Sequence, residues 1–250
     1  MVTTEGLWVI GDVQGHLEPF RRVLRESGLV DANDGWTGGT APLAIVGDLV
    51  DRGPDGIGVI NLLMNLQRQA RVSVLIGNHD ILLLAAKRFP RLRDDFLSGG
   101  GLLSDLERLS DEHVAWLAHL PAISRHSNAL LVHADAMLYL HYGVTIQEVN
   151  TRFRAVLEAE DIDAWNRLLD EFSEHRAFLH AANLDQFLAT YGGSMVIHGH
   201  TPIARMLQIP PETVTHAHVY QDGRCVNVDP GLYLGGPGFA YFQRTGGTDR

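Results

Sequence analysis

Leu7-Trp8-Val9-Ile10-Gly11-Asp12-Val13-Gln14-Gly15-His16 is the stretch on which the fold turns. Four consecutive apolar residues read as a strand buried on both faces, and residues 18–27 then take helical spacing. The pattern recurs twice. Leu43-Ala44-Ile45-Val46 runs into Gly47-Asp48-Leu49-Val50-Asp51-Arg52-Gly53, followed by a helical stretch with Ile57, Ile60, Leu63, Met64 and Leu66 on its apolar side. Residues 72–76 run into Gly77-Asn78-His79-Asp80, with a helix expected over 81–89. A βαβαβα order implies a largely parallel sheet with helices against it.

Further along, helices are expected over 110–120, 145–157, 161–172 and 184–191, with Ser110 as an N-cap. Residues 129–132 and 194–197 read as two more buried strands, ending in His133-Ala134-Asp135 and His198-Gly199-His200-Thr201-Pro202. Asp222-Gly223 is expected to close a two-residue hairpin between 219–221 and 224–226. Residues 239–244 form a candidate last strand. Trp116 and Trp165 are read as core. There is no repeat and no clear linker, so residues 1–250 are read as a single domain.

The totals narrow the class. A 250-residue chain buries enough apolar surface to fold without staples, and its one cysteine, Cys225, excludes an internal disulfide. That fits a reducing compartment. No basic segment precedes a long apolar stretch at the N-terminus, and no apolar run is long enough to span a bilayer, so the expected location is cytoplasmic and no membrane partner is expected. The formal net charge of −10 argues against nucleic acid as a partner, and of the 13 histidines, a high count, most read as surface or helix-end residues and only those in a local pattern are given a role.

Taken singly, each polar cluster has a plain structural explanation. A Gly-Asp after a strand makes a turn and a helix cap, Asn78-His79-Asp80 another cap, and His133 a satisfied core histidine. Their joint occurrence differs. Five strands carry Asp, Asp, Asn-His, His and His at their carboxyl ends, where open α/β sheets form their sites. That is a supply of metal ligands converging on one crevice.

The ordered set Gly11-Asp12-x-Gln14-Gly15, Gly47-Asp48-x-Val50-Asp51-Arg52-Gly53, Gly77-Asn78-His79-Asp80, His133-Ala134 and Gly199-His200-Thr201 resembles the phosphoprotein phosphatase family of the calcineurin-like metallophosphoesterases. That family includes Ser/Thr protein phosphatases and symmetrical diadenosine tetraphosphatases. The resemblance runs from Asp12 to about Thr201, with a weaker trace at Asn227-Val228-Asp229-Pro230-Gly231. It implies an α/β fold, a metallophosphoesterase-type β-sandwich flanked by helices, with the active site at the C-terminal ends of the strands.

The resemblance also implies roles. Asp12 and Gln14 would hold a first metal, and Asp48 would bridge to a second held by Asn78, His133 and His200. Two ions about 3.5–4 Å apart suit in-line attack by a bridging hydroxide on phosphorus. Two divalent ions also outweigh the charge of two aspartates, so the pocket is positive within an acidic protein. Arg52 would grip phosphate oxygens, with Asn78 beside it. His79 would protonate the leaving oxygen, with Asp80 holding the imidazole. Arg176, expected in a helical segment, is a candidate second phosphate arginine. His198 is expected to support the ligands from behind.

Gln14 departs from the family's usual histidine. Its carbonyl oxygen is harder and weaker than an imidazole, which favours manganese first, and magnesium, over iron or zinc. His16 is the rival source of the missing nitrogen. The expected activity is metal-dependent hydrolysis of a phosphorylated partner, either a nucleotide polyphosphate or a phosphoprotein. The alternative is a metal-bound regulatory or binding module with little activity, motivated by Gln14 alone.

Overall fold

The computed structural model describes residues 6–244. Its strands are β1 (Gly6–Ile10), β2 (Leu43–Ile45), β3 (Val72–Val74), β4 (Ile123–His126), β5 (Ala129–Val132), β6 (Met195–His198), β7 (His218–Tyr220), β8 (Cys225–Asn227) and β9 (Tyr241–Arg244). They form two sheets, ordered β3-β2-β1-β9 and β4-β5-β6-β8-β7. β1, β2 and β3 are parallel, as are β5, β6 and β8, while the edge strands β9, β4 and β7 pair antiparallel.

Residue alternation shows how the sheets stack. Leu7, Val9, Ala44, Val46, Leu131, Ile197 and Val226 form one buried cluster between the sheets. Their neighbours Ile10, Leu43, Ile45, Leu130, Val132 and Val196 belong to a second, larger cluster with the helices. Each central strand therefore buries both faces, which is why it reads as an unbroken apolar run. The arrangement is a β-sandwich with helices outside both sheets.

The parallel sheet expected from βαβαβα is present as β1, β2 and β3, and the later strands form the second sheet of the β-sandwich that the resemblance implied. The first three polar clusters end strands of one sheet, and the last two end β5 and β6 of the other. The break comes at β4, whose sequence Ile-Ser-Arg-His gave no run of apolar residues to read. The hairpin turn is also longer than expected: β7 and β8 are joined through residues 221–224, with Gln221, Asp222 and Gly223 all at positive φ. No helix among the described residues is long and apolar enough to cross a membrane.

The helices that matter to the site start where strands stop. α1 (Leu17–Glu26), α2 (Gly56–Gln69) and α3 (Asn78–Arg88) follow β1, β2 and β3. α3 begins three residues earlier than the apolar spacing suggests, so Asn78, His79 and Asp80 make up its first turn. Trp165 is fully buried, as expected, and Trp116 is partly buried against the core.

Candidate metal centre

Gln14, Asp48, Asp51, Arg52 and His200 all have positive φ, between 45° and 70°. Such conformations are uncommon for residues with a side chain and gather at functional sites. Here they follow β1, β2 and β6 and turn the side chains back over the strand ends. Gly77 makes the close approach between two of these loops possible, because a side chain there would strike Asp48 Oδ1.

Asp48, Asn78, His133 and His200 meet in one group. His133 Nδ1 lies 2.9 Å from the Val46 carbonyl, which only accepts, so the ring proton is on Nδ1. Nε2 then carries a bare lone pair, yet it faces Asn78 Oδ1 at 2.9 Å and Asp48 Oδ1 at 3.3 Å. His200 Nδ1 lies 3.0 Å from Asn78 Oδ1 and 3.2 Å from His133 Nε2, while its Nε2 is buried without a partner. Burial lowers the pKa of both histidines and favours the neutral rings a metal needs. Donor atoms bound at about 2.0–2.2 Å around one ion sit about 3 Å from one another, the spacing seen here. The residues fit a divalent cation.

Asp12 and Gln14 lie on the other side of Asp48. Asp12 accepts the His200 N–H through both oxygens, at 3.1 and 3.2 Å. Burial, then the charges of Asp229 and Asp48, push its pKa well up. Gln14 Nε2 is 3.3 Å from Asp48 Oδ2, and its Oε1 is buried with no partner. Against the cost of burial, the His133, His79 and His200 rings hold the Asp48 pKa down at about 2, so this carboxylate is ionised between the two groups.

The expected acid–orienter pair is corrected. His79 Nδ1 lies 2.8 Å from Asp51 Oδ2, not against Asp80. Asp80 instead accepts the Leu49 N–H at 2.8 Å and the Gly77 N–H at 2.9 Å, capping α3 and tying it to the loop after β2. The His79 pKa is raised: burial opposes the charge, but Asp48 and the Asp51 hydrogen bond outweigh it.

A cavity of about 580 Å³ opens at this centre, lined by Asp48, Asn78, His79 and His200 together with Arg52, Arg176, Arg205 and Tyr233. The Arg52 guanidinium lies 4.3 Å from the centre of the Tyr233 ring, and Arg205 lies 5.5 Å from the same ring. Arg176, expected in a helical segment, is not helical. It sits at φ 64° in a loop, its N–H donating to Asp135 Oδ2 at 2.9 Å and its Nη2 to the Arg205 carbonyl at 3.0 Å. His16 stands at the N-cap position of α1 without a side-chain capping hydrogen bond, and its Nε2 is buried without a partner. His198 is buried behind the centre, its Nε2 2.8 Å from the Tyr220 hydroxyl.

Several residues here were missed from sequence. Asp135 accepts the Thr201 hydroxyl at 2.6 Å, so it ties the Arg176 loop to the His200 turn. The His175 ring stacks on His200 with centroids 4.2 Å apart. Asp135 and Thr201 lay within the quoted motifs, whereas Arg205, His175 and Tyr233 had no local pattern to mark them.

Comparisons with known proteins agree with this picture. A symmetrical bis(5'-nucleosyl)-tetraphosphatase from Acidovorax sp. is 36% identical over 138 residues, covering 52% of this chain and 44% of that protein. Shewanella-like protein phosphatase 2 of Arabidopsis thaliana is 37% identical over 83 residues, covering 31% and 21%. The chain thus spans less than half the length of either curated relative. The fold is shared with the cold-active protein-tyrosine phosphatase of a psychrophilic Shewanella (TM-score 0.74, 19% identity, 95% of this chain and 75% of that one). It is shared too with a Saccharomyces cerevisiae protein serine/threonine phosphatase (TM-score 0.59, 14% identity, 98% and 82%). Residues 7–204 match the sequence model of the calcineurin-like phosphoesterases, and with it the chain is placed: it belongs to the calcineurin-like phosphoesterase family.

Proposed function

We propose that the protein is a dinuclear-metal hydrolase of phosphoesters or phosphoanhydrides. The observation that carries this is the group of lone pairs at Asp48, Asn78, His133 and His200, spaced 2.9–3.3 Å apart at an arginine-lined cavity. When bound, two divalent ions supply positive charge to the phosphate oxygens and acidify the attacking water. Asp12 and Gln14 would hold one ion, Asn78, His133 and His200 the other, with Asp48 between them. Arg52, anchored on Tyr233, binds and orients the phosphate. His79, held by Asp51, donates its proton to the leaving oxygen.

Three arginines in one cavity lining suit more than one phosphate, so a dinucleoside polyphosphate is the favoured substrate and a phosphoprotein the second. The named activities of the Acidovorax and Arabidopsis relatives support both. Residues 1–250 act as one domain in this reading, and a cytoplasmic setting rests on the lone buried Cys225.

The test is a panel of diadenosine tetraphosphate, phosphopeptides and a chromogenic phosphoester, run with added manganese. Hydrolysis of the first above the others is expected. Two tightly bound ions without hydrolysis of any substrate would instead support a regulatory or binding module.

A further inference from the structure

Asp229 lies in the loop after β8, in the Asn-Val-Asp-Pro-Gly stretch. Its backbone is fixed: Asp229 N donates to Asn227 Oδ1 at 2.8 Å, the Ile203 N–H donates to its carbonyl at 3.2 Å, and Val228 N donates to the His198 carbonyl at 2.8 Å. The side chain is 1% exposed. Oδ1 accepts the Gly231 N–H at 2.8 Å, but Oδ2 has neither a donor nor solvent. A buried carboxylate oxygen left without a partner is costly and calls for a cation.

The fold sets the backbone of Asp229 beside the first-metal residues. Gly11, next to Asp12, packs directly on the loop, and a Cβ there would come within 3.0 Å of Asp229 Cα. Asp229 raises the pKa of Asp12, and burial together with Asp48 raises its own to about 7. Gln14 Oε1, in the same region, is also buried and unpartnered. Two orphaned oxygens therefore accompany the carboxylates of Asp12 and Asp48, where the chain lacks the expected histidine.

We propose that Asp229 is a ligand of the first metal, its Oδ2 joining oxygens from Asp12, Gln14 and Asp48 to make that site all-oxygen. The proposal rests on the two-metal reading above. It divides the centre chemically. The first site selects hard ions such as manganese or magnesium, and the second, with two imidazoles, accepts zinc or iron.

The test is calorimetric titration of the metal-stripped full chain with manganese, for wild type and Asp229→Asn, with thermal unfolding of both stripped proteins. Asparagine keeps an acceptor for Gly231 and removes the charge. Wild type should bind two ions. The variant should keep one site and lose affinity at the other by about tenfold or more, with no loss of stability when stripped. Unchanged affinity at both sites, or an equal loss at both with a destabilised stripped protein, overturns the proposal. Fewer than two ions on the wild type overturns the two-metal reading itself. A second measurement needs no variant: excess manganese should displace zinc from one site of the wild type at a lower concentration than from the other. Equal zinc preference at both sites also overturns the proposal.

Discussion

His79 Nδ1 and Asp51 Oδ2 lie 2.8 Å apart, joining the first turn of α3 to the loop after β2. Asp51 is fully buried, and this bond holds the imidazole toward the cavity. Asp80, one residue on, spends both oxygens on backbone N–H groups. The two aspartates should therefore fail differently. Asp51→Asn should lower kcat about 10²-fold, at the low end of what acid–base catalysis contributes, with little change in melting temperature. Asp80→Asn should cost about 1–3 kcal/mol of stability by leaving a buried N–H unmatched. Steady-state kinetics and denaturant unfolding of the pair separate the roles, and equal effects on kcat would refute the assignment.

The same pair sets a pH dependence. Because the His79 pKa is raised, the acid form persists above the ordinary histidine value, and activity is lost as pH rises through the raised pKa. Asp51→Asn removes the charge and leaves only a neutral acceptor for the Nδ1–H, so the basic limb of the kcat profile should move to lower pH. A limb that stays in place would assign the proton to another group.

Metal removal should expose the cost of the buried carboxylates. Burial raises Asp80 to about 8 and Asp229 to about 7, above their unfolded values. Each such group contributes stability at low pH that is lost as pH rises toward the folded pKa. Above about pH 6.5 His133 and His200, whose pKa values burial lowers, are neutral in both states and no longer oppose this trend, and His79, with its raised pKa, adds to it. Between pH 6.5 and 8 the stripped protein should lose thermal stability. Manganese at a hundred times its Kd should restore about 2.7 kcal/mol. Scanning calorimetry at both pH values, with and without manganese, should show the larger metal shift at pH 8.

Gln14→His should change which ion fills the first site. An imidazole in place of the unpartnered Oε1 favours zinc and iron over magnesium. Competition titrations followed by elemental analysis read this directly. An unchanged preference would remove Gln14 from the ligand set.

The arginines should divide binding from chemistry. Arg52→Lys loses the planar fork and its stacking on Tyr233, so kcat/KM should fall about tenfold or more. Arg176→Ala, in the same cavity lining, should raise KM with kcat nearly unchanged, and more for a polyphosphate than for a simple phosphoester. Equal effects on every substrate would argue against a multi-phosphate pocket.

The candidate ligands and the strands that carry them were legible in the amino-acid sequence. Strands buried on both faces leave unbroken apolar runs, and each run stops where its polar cluster begins, so Asp12, Asp48, Asn78, His133 and His200 were all visible as strand ends. Tertiary structure decided what lies across space. The division into two sheets turned on β4, whose alternating polar residues carry no buried-strand signature. Whether Asp51 or Asp80 meets His79 could not be read from adjacency, because successive residues on a helix point about 100° apart and Asp80 turns back to its own N-terminus. Arg205 comes to the site from a short helix, Ile203–Leu207, Tyr233 from a single 3-10 turn, Leu232–Leu234, and Asp229 from the loop after β8. Only packing of β8 and its following loop against Gly11 brings Asp229 beside Asp12.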